Sequence, residues 1–244
     1  MAPAAVRPRS RNVAGGREVL ARNRVGTPRT GPGGCTVSRV NTVVARAPHA
    51  SVVINYDTGR TELRPTFDAV TALGATVVHL PETVLTWGTV EQSAAPPEPA
   101  PAPLRWRILA VPVVLATAAA GVCGPRRNRF SRLVRLACSG RDLRPATVGQ
   151  ARHAVRAVRW AAQCMPMRWA CLEDSAAAAL ALTVVRRRAE WRHGVAADPV
   201  RLHAWIAGPD GAPVEEPADT ALYTPTYTPD GPGTARATRR YDRE

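Results

Sequence analysis

Residues 171–217 read CLEDSAAAALALTVVRRRAEWRHGVAADPVRLHAWIAGPDGAPVEEP, and the order of patterns in this stretch decides the fold class. From Cys171 to Arg187 an Ala- and Leu-rich run is built largely of good helix formers. It gives way to AEWRHGV (189–195), RLHAWIAG (201–208) and APVEE (212–216), which alternate as strands do, with Pro209-Asp210-Gly211 marking a turn. Helices followed by an antiparallel sheet make an α+β domain.

Working backwards from Cys171, the period stays helical. Helices are expected over Leu104–Cys123, Arg129–Cys138 and Ala146–Ala162, the last with Val148, Ala151, Val155, Val158 and Ala162 at steps of three and four. Before them, EQSAAPPEPAPAP (91–103) favours an extended, solvated backbone and reads as a linker. Further upstream, TVSRVNTVVARA and SVVINYDTGRTELRP are β-branched runs with a hairpin signal at Asp57-Thr58-Gly59. They predict a small β-rich domain over 35–90, in which TFDAVTALGATVVHL reads as a short helical pattern. Residues 1–34 are rich in Arg, Gly and Pro without an apolar period and are expected to be a disordered tail. Thr-Pro repeats from Tyr223 onward predict a second largely unstructured stretch, so the helix-and-sheet domain is placed at 104–227 and a tail at 228–244.

The formal charge of +14 would point to an anionic partner, because clustered cations bind phosphate by releasing counterions. Every basic residue is Arg, however, and the densest runs, Arg126-Arg127 with Arg129 and Arg186–Arg188, adjoin apolar helical patterns. They read as helix ends and solvated faces, and nucleic acid is not an expected partner. The five cysteines form no Cys-x-x-Cys pair and no Cys/His spacing typical of zinc, so reduced thiols and no bound metal or cofactor are expected. No apolar run of signal-peptide length follows the N-terminal basic residues, which gives a cytoplasmic expectation. Ile108–Gly124 is uncharged, but it reaches only the bottom of the membrane-spanning range and contains Pro112; it reads as a core or interfacial helix, not a membrane span.

Three positions carry the chemistry. Cys171 stands at the start of a helix, where unpaired N–H groups favour a negative charge and so a nucleophilic thiolate. Glu173 and Asp174 oppose that charge, and the same position suits an inert buried cysteine. His203 lies in a strand pattern, with His193 on the preceding one. A hairpin loop centred on Pro209-Asp210 puts His203 directly across from Glu216, and one centred on Asp210-Gly211 leaves both on one face. Glu215 reaches that face only with an odd-numbered loop. A carboxylate beside the imidazole fixes its tautomer and stabilises the imidazolium.

Cys171-Leu172-Glu173-x-Ser175, then His203-Ala204-Trp205, then Asp210-Gly211 and an acidic pair before Pro217, resemble the leader-peptidase family of lasso-peptide biosynthesis. The resemblance covers roughly 104–227 and implies a papain- or transglutaminase-like fold with a Cys-His-acid triad: Cys171, His203 and Glu216, with Glu215 or Asp210 as the other candidates for the acid. Asp is common in the family's third place, so Glu is a departure. The resemblance further implies removal of the leader from a ribosomally made precursor peptide, with ring closure by a separate ATP-dependent cyclase. A leader-recognition element accompanies the family, either as a separate protein or fused, and 35–90 has the strand content for a reduced fused version. A non-catalytic transglutaminase-like scaffold that binds a precursor without cutting it is the alternative.

Overall fold

The β-branched runs form strands where their side chains have a sheet surface to pack on. Thr42–Arg46 (β1), Ala50–Asn55 (β2) and Arg60–Pro65 (β3) pair antiparallel in sequence order, and Val43, Ala45, Val52 and Ile54 are buried. The turn between β2 and β3 is the anticipated one. Asn55 Oδ1 accepts from the N–H groups of Asp57 (3.0 Å) and Thr58 (2.8 Å), and Gly59 takes the positive φ (73°) that the turn requires. Thr76–His79 (β4) departs from the helical pattern expected there: it lies parallel to β1 at the far edge, giving the order β3-β2-β1-β4. Three β-branched residues in four, Thr76, Val77 and Val78, account for the strand.

The structure is a computed structural model and describes residues 41–47, 50–65, 74–81, 101–197 and 200–233, all within one compact unit, Arg39–Glu244. The tail expected over 1–34, most of the linker at 91–103 and the end of the chain after 233 lie outside the described residues, as do 66–73 of the helical pattern.

Four helices follow. Leu104–Val122 (α1), Arg129–Ala137 (α2), Val148–Ala162 (α3) and Cys171–Val184 (α4) agree with the expected helices to within three residues at each end. Helix α4 sits at the centre, packed against α1, α2, α3 and the second sheet. Its Ala176, Ala177, Ala178, Ala179 and Ala181 are almost fully buried, and such small side chains let neighbouring elements approach closely. Adding methylenes there would overpack the core at a cost of about 1–3 kcal/mol. Helix α1 buries Trp106, Ala110, Val113, Val114, Thr117 and Gly121, while Leu104, Ile108, Val111 and Leu115 are exposed. By length and composition it is the one helix among the described residues that could cross a membrane.

Between the helices, Arg144–Pro145 (β5) pairs in parallel with Arg187–Arg188 (β6). The second sheet contains Glu190–Ala197 (β7), Val200–Ala207 (β8), Thr224–Thr228 (β9) and Gly231–Pro232 (β10), in the antiparallel order β10-β9-β7-β8. The Thr-Pro segment expected to be unstructured from Tyr223 is therefore β9, with Thr226 fully buried beside β7. Its alternating threonines are β-branched, and Pro225 is accommodated at the β7–β9 irregularity between His193 and Gly194.

The two sheets meet at Tyr56. Its hydroxyl lies 2.6 Å from His193 Nδ1 and 2.8 Å from Thr226 Oγ1, and Thr226 donates to the His193 carbonyl (3.0 Å). The ring stacks on Tyr227 at 4.1 Å. Burial lowers the His193 pKa to about 4, with the charge of His203 adding to the effect, so the ring is neutral and able to share this network.

Candidate active site

Cys171 is the first residue of α4, and Ala170, extended at φ −121°, ψ 176°, turns the chain into the helix. The two acids that follow are each held by arginine. Glu173, almost fully buried, accepts from Arg129 (2.7 Å) and from the Ala170 N–H (3.3 Å). Asp174 accepts from Arg159 Nε (2.9 Å) and Trp169 Nε1 (3.4 Å). Burial pushes the Asp174 carboxyl up, against the pull of these two donors. Neither carboxylate faces the sulfur uncompensated, which weakens the electrostatic objection that the sequence raised.

His203 projects from β8 on the face opposite His193. Its cross-strand partner is Gly194, whose missing side chain is necessary: a Cβ there would lie 2.7 Å from the Thr224 carbonyl oxygen and 2.8 Å from the Trp205 ring. The imidazole stacks along Trp205 (5.8 Å, 11° between planes) and packs against Tyr223 at 5.2 Å. Tyr223 is held in turn beneath Arg201, 5.7 Å from the ring centroid. The imidazole is thus wedged between two aromatic rings, with a fifth of its side-chain surface exposed.

His203 Nε2 lies 3.0 Å from Glu216 Oε2, and the Cys171 thiol lies near enough to act on the protonation of the imidazole. With Nε2 committed to Glu216, Nδ1 is the nitrogen left for the sulfur. Burial would lower the His203 pKa, but hydrogen bonding to Cys171 and Glu216, with their electrostatic pull, outweighs it and pushes the value up to about 9. The other oxygen of Glu216 takes Arg159 Nη2 at 2.6 Å. Arg159 joins the two halves of the site, since it holds Asp174 on α4, Glu216 and the Glu215 carbonyl together. Burial would lower its pKa, yet Asp174 first and Glu216 next hold it raised.

The route by which Glu216 reaches His203 differs from the one expected. The loop after β8 is odd-numbered: Ala207 bridges Pro213, and Gly208 N–H donates to Ala212 O (2.8 Å) across Pro209-Asp210-Gly211. Strand parity alone would then have turned Glu215 toward His203. Glu215 instead adopts a left-handed backbone (φ 57°), which breaks the strand and shifts the next side chain onto the histidine's face. Glu215 turns to α3, where it accepts from Arg156 at 2.9 and 3.1 Å and pairs with Arg152 at 3.1 Å. Asp210 caps its own turn by accepting from the Ala212 N–H (3.1 Å) and lies at the exposed loop tip.

Cys171 and Glu216 are therefore both brought to His203, the carboxylate by a hydrogen bond, while Glu215 and Asp210 are engaged elsewhere. Arg159 and Tyr223 were not singled out from the sequence. Arg152, Arg156 and Arg159 lie at steps of four and three, one face of α3, the signal from which an acid-binding row could have been read. Among the described residues Cys123, Cys138, Cys164 and Cys171 are free thiols, and no group of three or more His, Cys, Asp or Glu is placed to hold a metal ion. Burial pushes the Cys138 thiol up to about 12, with Arg141 and Arg188 offsetting only part of it, so it is no competitor as a nucleophile.

No curated protein and no solved structure matches the chain. A family model does match, over just under half its length. Residues 113–228, a span that includes Cys171, His203 and Glu216, match the model of the transglutaminase-like superfamily.

Proposed function

We propose that this protein is a cysteine peptidase that removes the leader from a ribosomally made lasso-peptide precursor, ahead of ring closure by a partner ATP-dependent cyclase. The observation that carries the catalytic part is the line Cys171–His203–Glu216. The leader-removal part rests on the resemblance of Cys171-Leu172-Glu173-x-Ser175 and His203-Ala204-Trp205 to that family.

In this mechanism His203 takes the Cys171 proton, Sγ attacks the scissile carbonyl carbon, and the negative charge passes to the carbonyl oxygen. First-turn N–H groups of α4, without partners inside the helix, are available to that oxygen. The C–N bond then breaks as His203 gives its proton to the leaving nitrogen, which leaves a thioester on Cys171. Water attacks the thioester, His203 takes the water's proton, and the sulfur departs with the acid product free. Glu216 balances the imidazolium and fixes the ring's orientation, and Arg159 and the Trp205–Tyr223 wedge hold the pair in place.

The test uses a synthetic leader–core precursor peptide of the lasso-peptide class. Wild-type protein should release leader from core, and Cys171→Ala should bind the precursor without cutting it. Cleavage by Cys171→Ala at the wild-type rate would refute the mechanism. Binding without cleavage by the wild-type protein would favour a non-catalytic scaffold.

A further inference from the structure

Beside Cys171 runs a groove of about 710 Å³, bounded by the β2–β3 turn, by α2 with the segment before it, and by the start of α4. Ala170 and Leu172, the chain neighbours of Cys171 on either side, are part of its wall, although Cys171 itself does not line it. Its opposite wall, Thr58-Gly59-Arg60, is fixed in place: Gly59 lies so close to α2 that a Cβ on it would be 2.7 Å from Phe130 Cβ. The β-rich N-terminal region thus contributes a wall to a groove that reaches the first turn of the helix carrying the candidate nucleophile.

The lining is strongly one-signed. Arg60, Arg126, Arg127, Arg129 and Arg168 face one carboxylate, Glu173, and Arg129 already holds that group. Arg60 pairs with Glu62 at 2.6 Å. Arg126, Arg127 and Arg168 are exposed and form no ion pair with any described residue. Exposed arginines converging on one groove repel one another, and a ligand that supplies carboxylates relieves the repulsion. Between the charges lie Met167 and Leu172, which offer apolar surface. Phe130, the one aromatic residue in the lining, is packed against Tyr56 (5.6 Å) and His193 (5.5 Å) and is not offered as a stacking platform for bases. A few residues of peptide fit such a volume.

We propose that this groove binds an acidic, partly apolar stretch of the peptide substrate and delivers the adjoining peptide bond to Cys171. The assignment rests on the reading of Cys171 as the nucleophile and adds a substrate class to it. Arg126, Arg127 and Arg168 supply the charge selectivity, and Met167 and Leu172 take the apolar side chains.

The experiment measures binding apart from cleavage. Full-length Cys171→Ala is titrated against a fluorescein-labelled peptide of repeating Glu-Leu-Gly and against its Gln-Leu-Gly counterpart, by fluorescence polarisation at low and high salt. Three exposed ion pairs predict a preference of about tenfold for the Glu peptide, shrinking as salt rises. Combined Arg126→Glu, Arg127→Glu and Arg168→Glu substitutions should abolish the preference, whereas Arg105→Glu with Arg144→Glu, on other surfaces, should retain it. The single change Arg168→Gln, with the melting temperature checked, gives the same reading at smaller amplitude should the triple variant misfold. Equal affinity for the two peptides, or a preference that survives the triple substitution, overturns the proposal. So does a single-stranded oligonucleotide that binds more tightly than the Glu peptide and is lost with the same arginines. Charge-selective binding without precursor cleavage by wild-type protein would support the groove and sink the catalytic reading; cleavage without charge selectivity would do the reverse.

Discussion

Replacing Glu216 by Gln keeps the shape of the side chain and removes the charge that faces His203 at 3.0 Å. Raising the imidazolium from its ordinary 6.5 to about 9 is worth roughly 3 kcal/mol, supplied against burial by two partners, Cys171 and Glu216. If Glu216 supplies even half of this, its loss lowers the His203 pKa by at least about one unit, or ~1.4 kcal/mol. The Gln amide also permits a second orientation, since its NH2 can face Nε2, and loss of the correct tautomer is the larger effect where a triad acid is replaced. Together these predict a fall of about a hundredfold or more in kcat with KM little changed. On the proposed mechanism wild-type activity should fall at high pH as His203 loses its proton near 9, and the substitution should move that fall toward neutrality. Single-turnover cleavage of the precursor across pH measures both quantities. Glu215→Gln is the paired control: it loosens Glu215 from Arg152 and Arg156 but leaves the imidazole's partner in place, so the pH profile should not move. A larger loss at Glu215 than at Glu216, or no loss at either, refutes the reasoning; the second result would leave a Cys-His dyad.

The remaining predictions concern the frame around the site. Tyr56→Phe removes one hydroxyl from the buried network with His193 and Thr226, and urea denaturation should register a loss of about 1–3 kcal/mol. The two histidines should shape stability in opposite directions. His193, at about 4 when folded and 6.5 when unfolded, contributes stability that is complete above 6.5 and declines by roughly 3 kcal/mol as pH falls toward 4. His203, at about 9 when folded, contributes stability that is complete below 6.5 and is lost as pH rises through 9. Their combined share of the denaturation midpoint should therefore be greatest near pH 6.5, and His193→Asn should remove the decline on the acid side only. Gly194→Ala drives a Cβ against the Thr224 carbonyl and the Trp205 ring, and should cost about 1–3 kcal/mol while disturbing the stack that holds His203, read as a lower melting temperature with reduced cleavage.

The helices were legible because their signals are local. Leu104, Arg129 and Cys171 begin helices where the apolar period begins. The expected start of α3 was two residues early, because Thr147 and Gln150 form a capping box: Gln150 N–H donates to Thr147 Oγ1 (3.3 Å) and Thr147 N–H to Gln150 Oε1 (3.0 Å). The Thr-x-x-Gln spelling of that box was available in the sequence. The strands misread are those whose role depends on distant partners. Thr224–Thr228 carries Pro225 and has the composition of a tail, yet it becomes a strand because β7 offers it a buried edge and Tyr56 offers Thr226 a hydrogen bond. Residues 76–79 resemble a helix end until β1 supplies a parallel neighbour. Pairing energy of this kind is not written in the segment that receives it.

The same distinction runs through the site. Cys171 and His203 could be chosen from local context and family resemblance, since a helix start and a strand histidine are features of neighbouring residues. The acid could not be argued correctly from register, because one backbone angle at Glu215 decides which carboxylate faces the imidazole, and a non-glycine residue with φ 57° is not announced by the sequence. Both sides of that bend are held by α3. Arg152 and Arg156 draw the Glu215 side chain toward the helix, Arg159 binds its carbonyl, and the same Arg159 receives Glu216 on the other side of the bend. The arginine row on α3 thus clamps both carboxylates at the bend, one of them the histidine's partner. Part of the chain's positive charge works by holding carboxylates: Glu173, Asp174, Glu215 and Glu216 are each bound by arginine around one sulfur and one imidazole.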